Sequence, residues 1–320
     1  MDGGQELSAR SGSGSAPPSL TRVRTRRSVG EQAIKILLAG AAVLSVLTTT
    51  GIVITLLTES SKFFGEVPFR DFFFGTDWAP LAGGASQSFG VAPLIWSTLY
   101  LTLIALLVAI PLGLGVGVYL AEYASPRIRK IFKPIVEVLA GIPTIVFGYF
   151  ALTFFTPLLK DQLGIDLQVF NGLSGGIILG ILVLPTIASV SEDAMSAVPQ
   201  SLREGAFGLG AAKWQVVVRV VFPAALSGIV AALVLGASRA IGETVVILVA
   251  SGNNPNLTFD LTVAHQNMAA FIANVARADV SAGSVAYATI FAVGTTLFVM
   301  TFVLNLIAIR FVRKYRQVYE

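Results

Sequence analysis

Residues 203–223 read REGAFGLGAAKWQVVVRVVFP, and the reading of this stretch decides the fold. Arg203, Glu204, Lys213 and Arg219 stand among Ala, Leu, Val and Trp. The composition is helical, yet the charge is too dense for a segment that crosses a bilayer. Long apolar runs lie on either side. The expectation is therefore a short amphipathic helix at one face of a polytopic membrane protein.

The whole chain agrees with that expectation. It has 320 residues, 54% hydrophobic and 12% charged, with a mean hydropathy of +0.78. Soluble domains are about one-quarter charged, so composition alone assigns an integral membrane protein. The absence of cysteine excludes disulfides, thiolate metal sites and cysteine nucleophiles. The single histidine, His265, excludes a histidine-rich metal centre; as a lone residue it reads as a surface or packing group before it reads as a ligand.

Apolar runs near the length of a membrane span occur at 34–57, 91–120, 134–158, 172–190, 223–250 and 284–309. The predicted fold class is all-α, with six transmembrane helices. No charge occurs from 78 to 121 or from 281 to 309. GxxxG spacings at Gly113/Gly117 and Gly176/Gly180 would permit close helix approach, a weak motif on its own. Residues 1–30 differ in kind. Their SGSGSAPPS run is too polar and too simple to order itself, so a disordered cytoplasmic tail is expected ahead of a membrane domain at 31–320. Arg26–Arg27 could open a twin-arginine signal, but the following apolar run exceeds the 7–15 residues of a signal core.

Lys and Arg fix the orientation. With both termini on one side, that side and its loops carry seventeen of them and the opposite side four. The positive-inside rule then places both termini and the 191–222 segment in the cytoplasm. The basic balance therefore records topology and not an acidic partner. Of the two large outer loops, 58–90 carries FFGEVPFRDFFFGTDWAP, readable as a membrane-surface segment or as a lid packed over the helices. Residues 251–283 begin with the turn-rich SGNNPN and continue into a predicted short helix or re-entrant piece.

Ionisable groups within the spans are the sharpest local signal. The fifth span has two, Arg239 and Glu243, in LGASRAIGETVVIL. A mid-span arginine costs about 2.5–3.5 kcal/mol to insert on translocon scales. The i,i+4 spacing places Glu243 on the same helical face as Arg239. One reading is a self-compensating ion pair that binds this helix to its neighbours. The other is an anion site on a translocation path, with Gly236, Ala237, Ser238 and Gly242 leaving room for a solute. A planar guanidinium suits bidentate contact with a tetrahedral oxyanion.

No catalytic machinery is visible. The chain has no Walker A loop, no nucleophile elbow, and no cluster able to hold a catalytic metal, so it is not expected to be an enzyme. It does have Glu204-Gly205-Ala206, three residues, Gly210, nine residues, then Val220-Val221-Phe222-Pro223. This resembles the EAA loop of bacterial ABC importer permeases, written E-A-A, three residues, G, nine residues, I-x-L-P. Gly205 departs from the pattern, and glycine costs a helix about 1 kcal/mol against alanine. The resemblance implies a type I importer permease fold and a loop that docks into a groove on a separate ATP-hydrolysing subunit. Leu209 and Trp214 would be apolar anchors, with Glu204 and the basic residues at the rim.

The chain from 31 to 320 also resembles the phosphate-specific transport (Pst) permeases. SRAIGETVVILVASGNNP, the outer loop ending FGTDWAP, and the terminal FVLNLIAIRFVRKY carry the likeness. The long first outer loop makes it more similar to the PstC type than to the PstA type. The resemblance implies a prokaryotic inner or plasma membrane location, a second related permease, two ATP-binding subunits and a secreted phosphate-binding protein. It implies no cofactor on this chain, with ATP and Mg used by the partner ATPase. Arg239 and Glu243 would lie on the phosphate path, Glu243 either accepting a hydrogen bond from protonated phosphate or holding Arg239. Other readings stay open: a permease for sulfate or molybdate, a non-ABC secondary anion transporter, or a purely structural membrane subunit.

Overall fold

The computed structural model describes residues 26–315 and begins inside helix α1, Arg26–Glu66. Most of the expected 1–30 tail, residues 1–25, lies outside the described residues. Two compact units divide the chain, residues 1–53 and 54–320. The described part of the first is the leading stretch of α1, whose Ile36, Leu37, Leu44 and Leu47 are all exposed. For an apolar helix this is a surface suited to lipid or to another helix.

In the second unit the end of α1 leads into α2, Phe69–Phe74, and a two-residue antiparallel ladder, β1 Trp78–Ala79 with β2 Ser88–Phe89, in the register Trp78↔Phe89. Phe63, Phe72 and Trp78 are buried. Their rings meet edge to face, Phe63–Phe72 at 5.4 Å and Trp78–Phe271 at 4.8 Å. Phe69 and Phe74, by contrast, are exposed. The 58–90 region is thus a packed cap, as the lid expectation has it, with Phe69 and Phe74 left on its free surface.

Helix α3, Ala92–Val118, is followed by α4, Pro126–Ala140, α5, Thr144–Phe150, and α6, Gly172–Ser196. Both glycine motifs mark real contacts between α3 and α6. A Cβ on Gly176 would lie 2.8 Å from Ile104, and one on Gly180 would lie 2.7 Å from the Ala105 carbonyl. Reciprocally, a Cβ on Gly113 would meet Ile187 at 3.0 Å and one on Gly117 the Ala188 carbonyl at 3.1 Å. Along both helices the paired numbers rise together, so α3 and α6 run parallel. Leu101, Ala105, Ile178, Leu182 and Ile187 form the buried seam between them.

The expected span 134–158 is not one helix. Pro126–Ala140 and Thr144–Gln162 meet at 86°. Pro143 supplies the reason: it has no N–H for the ladder and drives the preceding Ile142 out of the helical region. Helix α4 has no buried residue and exposes Ile131, Phe132, Ile135 and Val138. The fourth span extends past the expected 190 to Ser196 and carries a fully buried Glu192.

The remaining helices are α7, Gln200–Gly208, α8, Lys213–Val216, α9, Phe222–Ala224, α10, Leu226–Ile241, α11, Val245–Ala250, α12, Met268–Arg277, and α13, Val285–Tyr315. Helix α8 continues through a wider helical turn at Val217–Val221 into α9. The expected fifth span, 223–250, is corrected in two ways. The chain bends by 72° between Lys213–Ala224 and Leu226–Ile241, and the helix stops again at Ile241. Among the described residues four helices are long and apolar enough to cross a membrane unaided, or up to six if each bent pair is one span. Helix α12 supplies the short helix expected within 251–283.

His265 belongs to the packing. It is fully buried, with Nε2–H donating to the Asp260 carbonyl at 2.9 Å and Nδ1 accepting from the Ser97 hydroxyl at 3.3 Å. A carbonyl only accepts, which fixes the tautomer. Burial pushes the imidazole pKa down, opposed by the pull of Asp260.

Candidate functional site

Arg239 stands in the last turn of α10, half-buried. Its Nη1 donates to Thr186 Oγ1 at 3.0 Å. Thr186 follows Pro185 within α6, which α10 crosses at close range: a Cβ on Gly236 would lie 2.8 Å from Ile187. Gly236 and Ala237 are buried in that crossing, and the Ser238 hydroxyl bonds Asn305 on α13 at 3.2 Å. These small residues therefore serve helix packing. Only exposed Gly242, with nothing nearer than 3.6 Å to an added Cβ, leaves open room beside the arginine.

Glu243 lies beyond the helix end, in the break at 242–244. Here the i,i+4 expectation fails: the α-helical register stops at Ile241, so four residues no longer make one turn. The carboxylate instead caps the next helix. Its Oε1 accepts from the backbone N–H groups of Val245 at 3.1 Å and Val246 at 3.2 Å, with the residue 8% exposed. First-turn N–H groups lack partners in their own helix, and their dipoles favour a negative charge. The Glu243 carbonyl accepts from Asn267 Nδ2 at 2.9 Å, and Asn267 Oδ1 caps α12 by accepting from the Ala270 N–H. One residue thus ties the break to α12.

The proposed self-compensating pair does not form. Among the described residues the ion pairs are Glu59–Lys62, Arg129–Glu192, Lys133 with Glu192 and Asp193, and Glu122–Arg203. Arg239 has no carboxylate partner in that set. A guanidinium offers five N–H donors, and among the described residues one has an acceptor.

The 203–223 stretch is two helices, not one. Helix α7 ends because Gly210 adopts φ +81°, the left-handed region that glycine enters without penalty. The Gly210 N–H bonds the Phe207 carbonyl at 2.9 Å and the Ala211 N–H bonds the Ala206 carbonyl at 3.1 Å. This is the Schellman arrangement, which satisfies the last carbonyls of a helix. The glycine of the motif is thereby explained. Gly205 sits inside α7 with empty space around it, so the helix forms despite the departure from alanine. Helix α8 restarts with Gln215 Oε1 accepting from the Ala212 N–H at 2.8 Å.

The turn presents Leu209, 91% exposed, Trp214, 56% exposed, and Phe207, with Glu204 also exposed beside them. Phe207 was not singled out by the sequence pattern, although it is the one aromatic residue between Glu204 and Gly210. Arg203 faces the other way. Its Nη2 donates to Glu122 Oε1 at 2.7 Å and to the Met195 carbonyl at 2.8 Å; Nη1 donates to the Val198 carbonyl at 2.5 Å. It is a staple and not a rim charge. Lys213 is exposed and lies over an aromatic ring, its Nζ 4.9 Å from the Tyr123 ring centre. Pro223 is the second residue of α9, two residues before the 72° bend.

A second cluster lies outside the predicted site. Glu192 is held by Arg129 and by Lys133, the latter at 2.6 Å, while Lys133 also reaches Asp193 at 2.6 Å. The basic run 127–133 therefore does more than orient a loop: two of its cations pin α4 onto α6. The adjacent acids Glu192 and Asp193 at a span end were the available signal.

A family model described as "Binding-protein-dependent transport system inner membrane component" matches residues 109–317. The "Probable ABC transporter permease protein YqgH" of Bacillus subtilis (strain 168) is 31% identical over 301 residues, covering 92% of this chain and 94% of that protein. The "Phosphate transport system permease protein PstC" of Mesorhizobium japonicum is 31% identical over 286 residues, covering 84% and 85%. Its namesake in Haemophilus influenzae is 32% identical over 278 residues, covering 81% and 84%. Among solved structures, a bacterial alginate ABC transporter chain superposes with a TM-score of 0.64 at 18% identity, covering 91% of this chain and 97% of that one. A chain of the MetNI methionine ABC transporter gives 0.56 at 21% identity, covering 71% and 96%. These structures share the fold.

Proposed function

The chain belongs to the binding-protein-dependent transport system inner membrane components, and from that premise we propose that it is the PstC-type permease subunit of an ATP-driven importer of inorganic phosphate. Family membership makes it a multi-pass component of the inner membrane and a transport subunit, not an enzyme, and sets aside the secondary-transporter reading. Relatives named for phosphate transport support the cargo. The observation that carries the anion site is Arg239: a half-buried guanidinium with no carboxylate beside it among the described residues, next to the open break at Gly242.

In this reading a second related permease completes the path, two ATPase subunits bind ATP and Mg, and a secreted binding protein delivers phosphate. Residues 31–320 form the permease domain, and both termini face the cytoplasm, as the charge count favours. Leu209, Trp214 and Phe207 enter the groove of an ATPase subunit, with Glu204 at the rim. Gly205, Ala206, Gly210 and Pro223 shape the turn that presents them. Arg239 attracts the anion in a low-dielectric passage where a fixed charge acts strongly. Glu243, whose second oxygen has no partner among the described residues, accepts a hydrogen bond from the O–H of a protonated phosphate oxygen. Sulfate has no such proton at neutral pH, so that contact separates the two oxyanions.

The test is uptake of labelled phosphate by the reconstituted complex. Arg239→Gln should abolish uptake while leaving assembly intact; wild-type uptake by that variant refutes the site. Competition by sulfate and molybdate in the same vesicles should be weak. Strong competition would favour the wider oxyanion reading.

A further inference from the structure

We infer that Thr186 is a substrate-binding residue, donating its hydroxyl hydrogen to the same tetrahedral oxyanion that Arg239 attracts. The inference deepens the proposed function and rests on it. A threonine inside a helix ordinarily spends its hydroxyl hydrogen on the carbonyl one turn back. Thr48, Thr98, Thr153 and Thr296 do so here, bonding the carbonyls of Leu44, Leu94, Tyr149 and Ala292 at 2.6–2.9 Å. Thr186 does not. Its oxygen accepts from Arg239 Nη1 at 3.0 Å, and its hydrogen has no acceptor among the described residues.

A hydroxyl that accepts from a cation becomes a better donor, because the bond it receives polarises the one it offers. Thr186 is half-buried, and its hydroxyl is held beside the guanidinium. The neighbouring Pro185 fixes the local course of α6. The hydroxyl and the guanidinium thus form one donor array carried on two helices, α6 and α10. A tetrahedral anion bridging them receives charge from one and a neutral hydrogen bond from the other. The same contact aims the arginine: with Nη1 held on α6, the remaining N–H groups are presented in a defined plane.

The experiment uses the complete reconstituted transporter, supplied with binding protein saturated in inorganic phosphate, so that delivery does not limit the rate. The rate of phosphate uptake is measured for Thr186→Val, Thr186→Ser, Thr186→Ala and Arg239→Gln, with subunit co-purification as the assembly check. Thr186→Val keeps the shape and removes the hydroxyl; a loss of at least about tenfold is expected, the scale of a hydrogen bond to a charged group. Thr186→Ser restores the hydroxyl and should transport within about twofold of the parent. Should the valine variant fail to assemble, serine against alanine makes the same comparison. Equal transport by the hydroxyl-bearing and hydroxyl-free variants overturns the inference while leaving the arginine site standing. Unchanged transport by Arg239→Gln overturns the underlying reading itself.

Discussion

Arg203→Met should detach α7 from the body of the molecule. The wild-type guanidinium is 11% exposed and its partner Glu122 8% exposed, so the pair is buried on both sides. Removing one member of a buried pair costs about 3–5 kcal/mol, because the other charge is left without compensation. The carbonyls of Met195 and Val198 also lose donors, each worth about 1 kcal/mol. These losses overlap, so about 3–5 kcal/mol is expected for the single variant. Pairing it with Glu122→Gln removes the stranded charge, and the double variant should cost less than the sum of the singles by more than about 1 kcal/mol. The assay is the unfolding midpoint of the purified complex, read beside ATP hydrolysed per phosphate transported. The second readout should rise for Arg203→Met, since α7 would move without drawing α3 and α6 along. Additive losses in the cycle, or unchanged stability and stoichiometry, would refute the staple.

Two further outcomes follow from local geometry. Gly210→Ala forces a side chain into positive φ and should cost about 1–2 kcal/mol, whereas Gly205→Ala, inside α7 and surrounded by open space, should gain up to about 1 kcal/mol; parallel melts of the two variants check the opposite signs. His265, in the loop preceding α12, has a pKa held below its ordinary value by burial. The unfolded chain therefore binds the proton first, so stability is full above about pH 6.5 and declines as pH falls below that value. Melting between pH 7.5 and 5.5 should show the decline, and His265→Gln should flatten it.

The apolar runs and the glycine spacings made the helical fold legible, because each is a one-dimensional signal with a direct three-dimensional counterpart. The breaks were harder to read. VVILVA resumes the apolar run of α10 after only Gly242, Glu243 and Thr244, and nothing in composition announces that Glu243 turns back to cap α11. The spacing of Arg239 and Glu243 suggested one helical face only because an unbroken helix was assumed. At the other end of the span, Pro223 marked the bend region, but the bend falls at Ala225, after α9 has used the proline as a first-turn residue. Arg203 illustrates a different limit. A charge in an amphipathic stretch reads as exposed, whereas its partner Glu122 lies 81 residues earlier, beyond the reach of any local pattern.

The parallel course of α3 and α6 bears on how the molecule comes to be built. Ile104 meets Gly176, so the partner of each α3 residue emerges from the ribosome some seventy residues later. At about 5–20 residues per second, α3 waits on the order of 4–14 seconds for its neighbour. During that interval its Gly113–Gly117 face is without the α6 residues it meets in the folded chain. A groove of backbone and hydrogens, with no charge from residue 78 to 121, can wait without an unsatisfied polar side chain. The glycines that let the two helices touch at the end thus also let the first remain alone at the beginning.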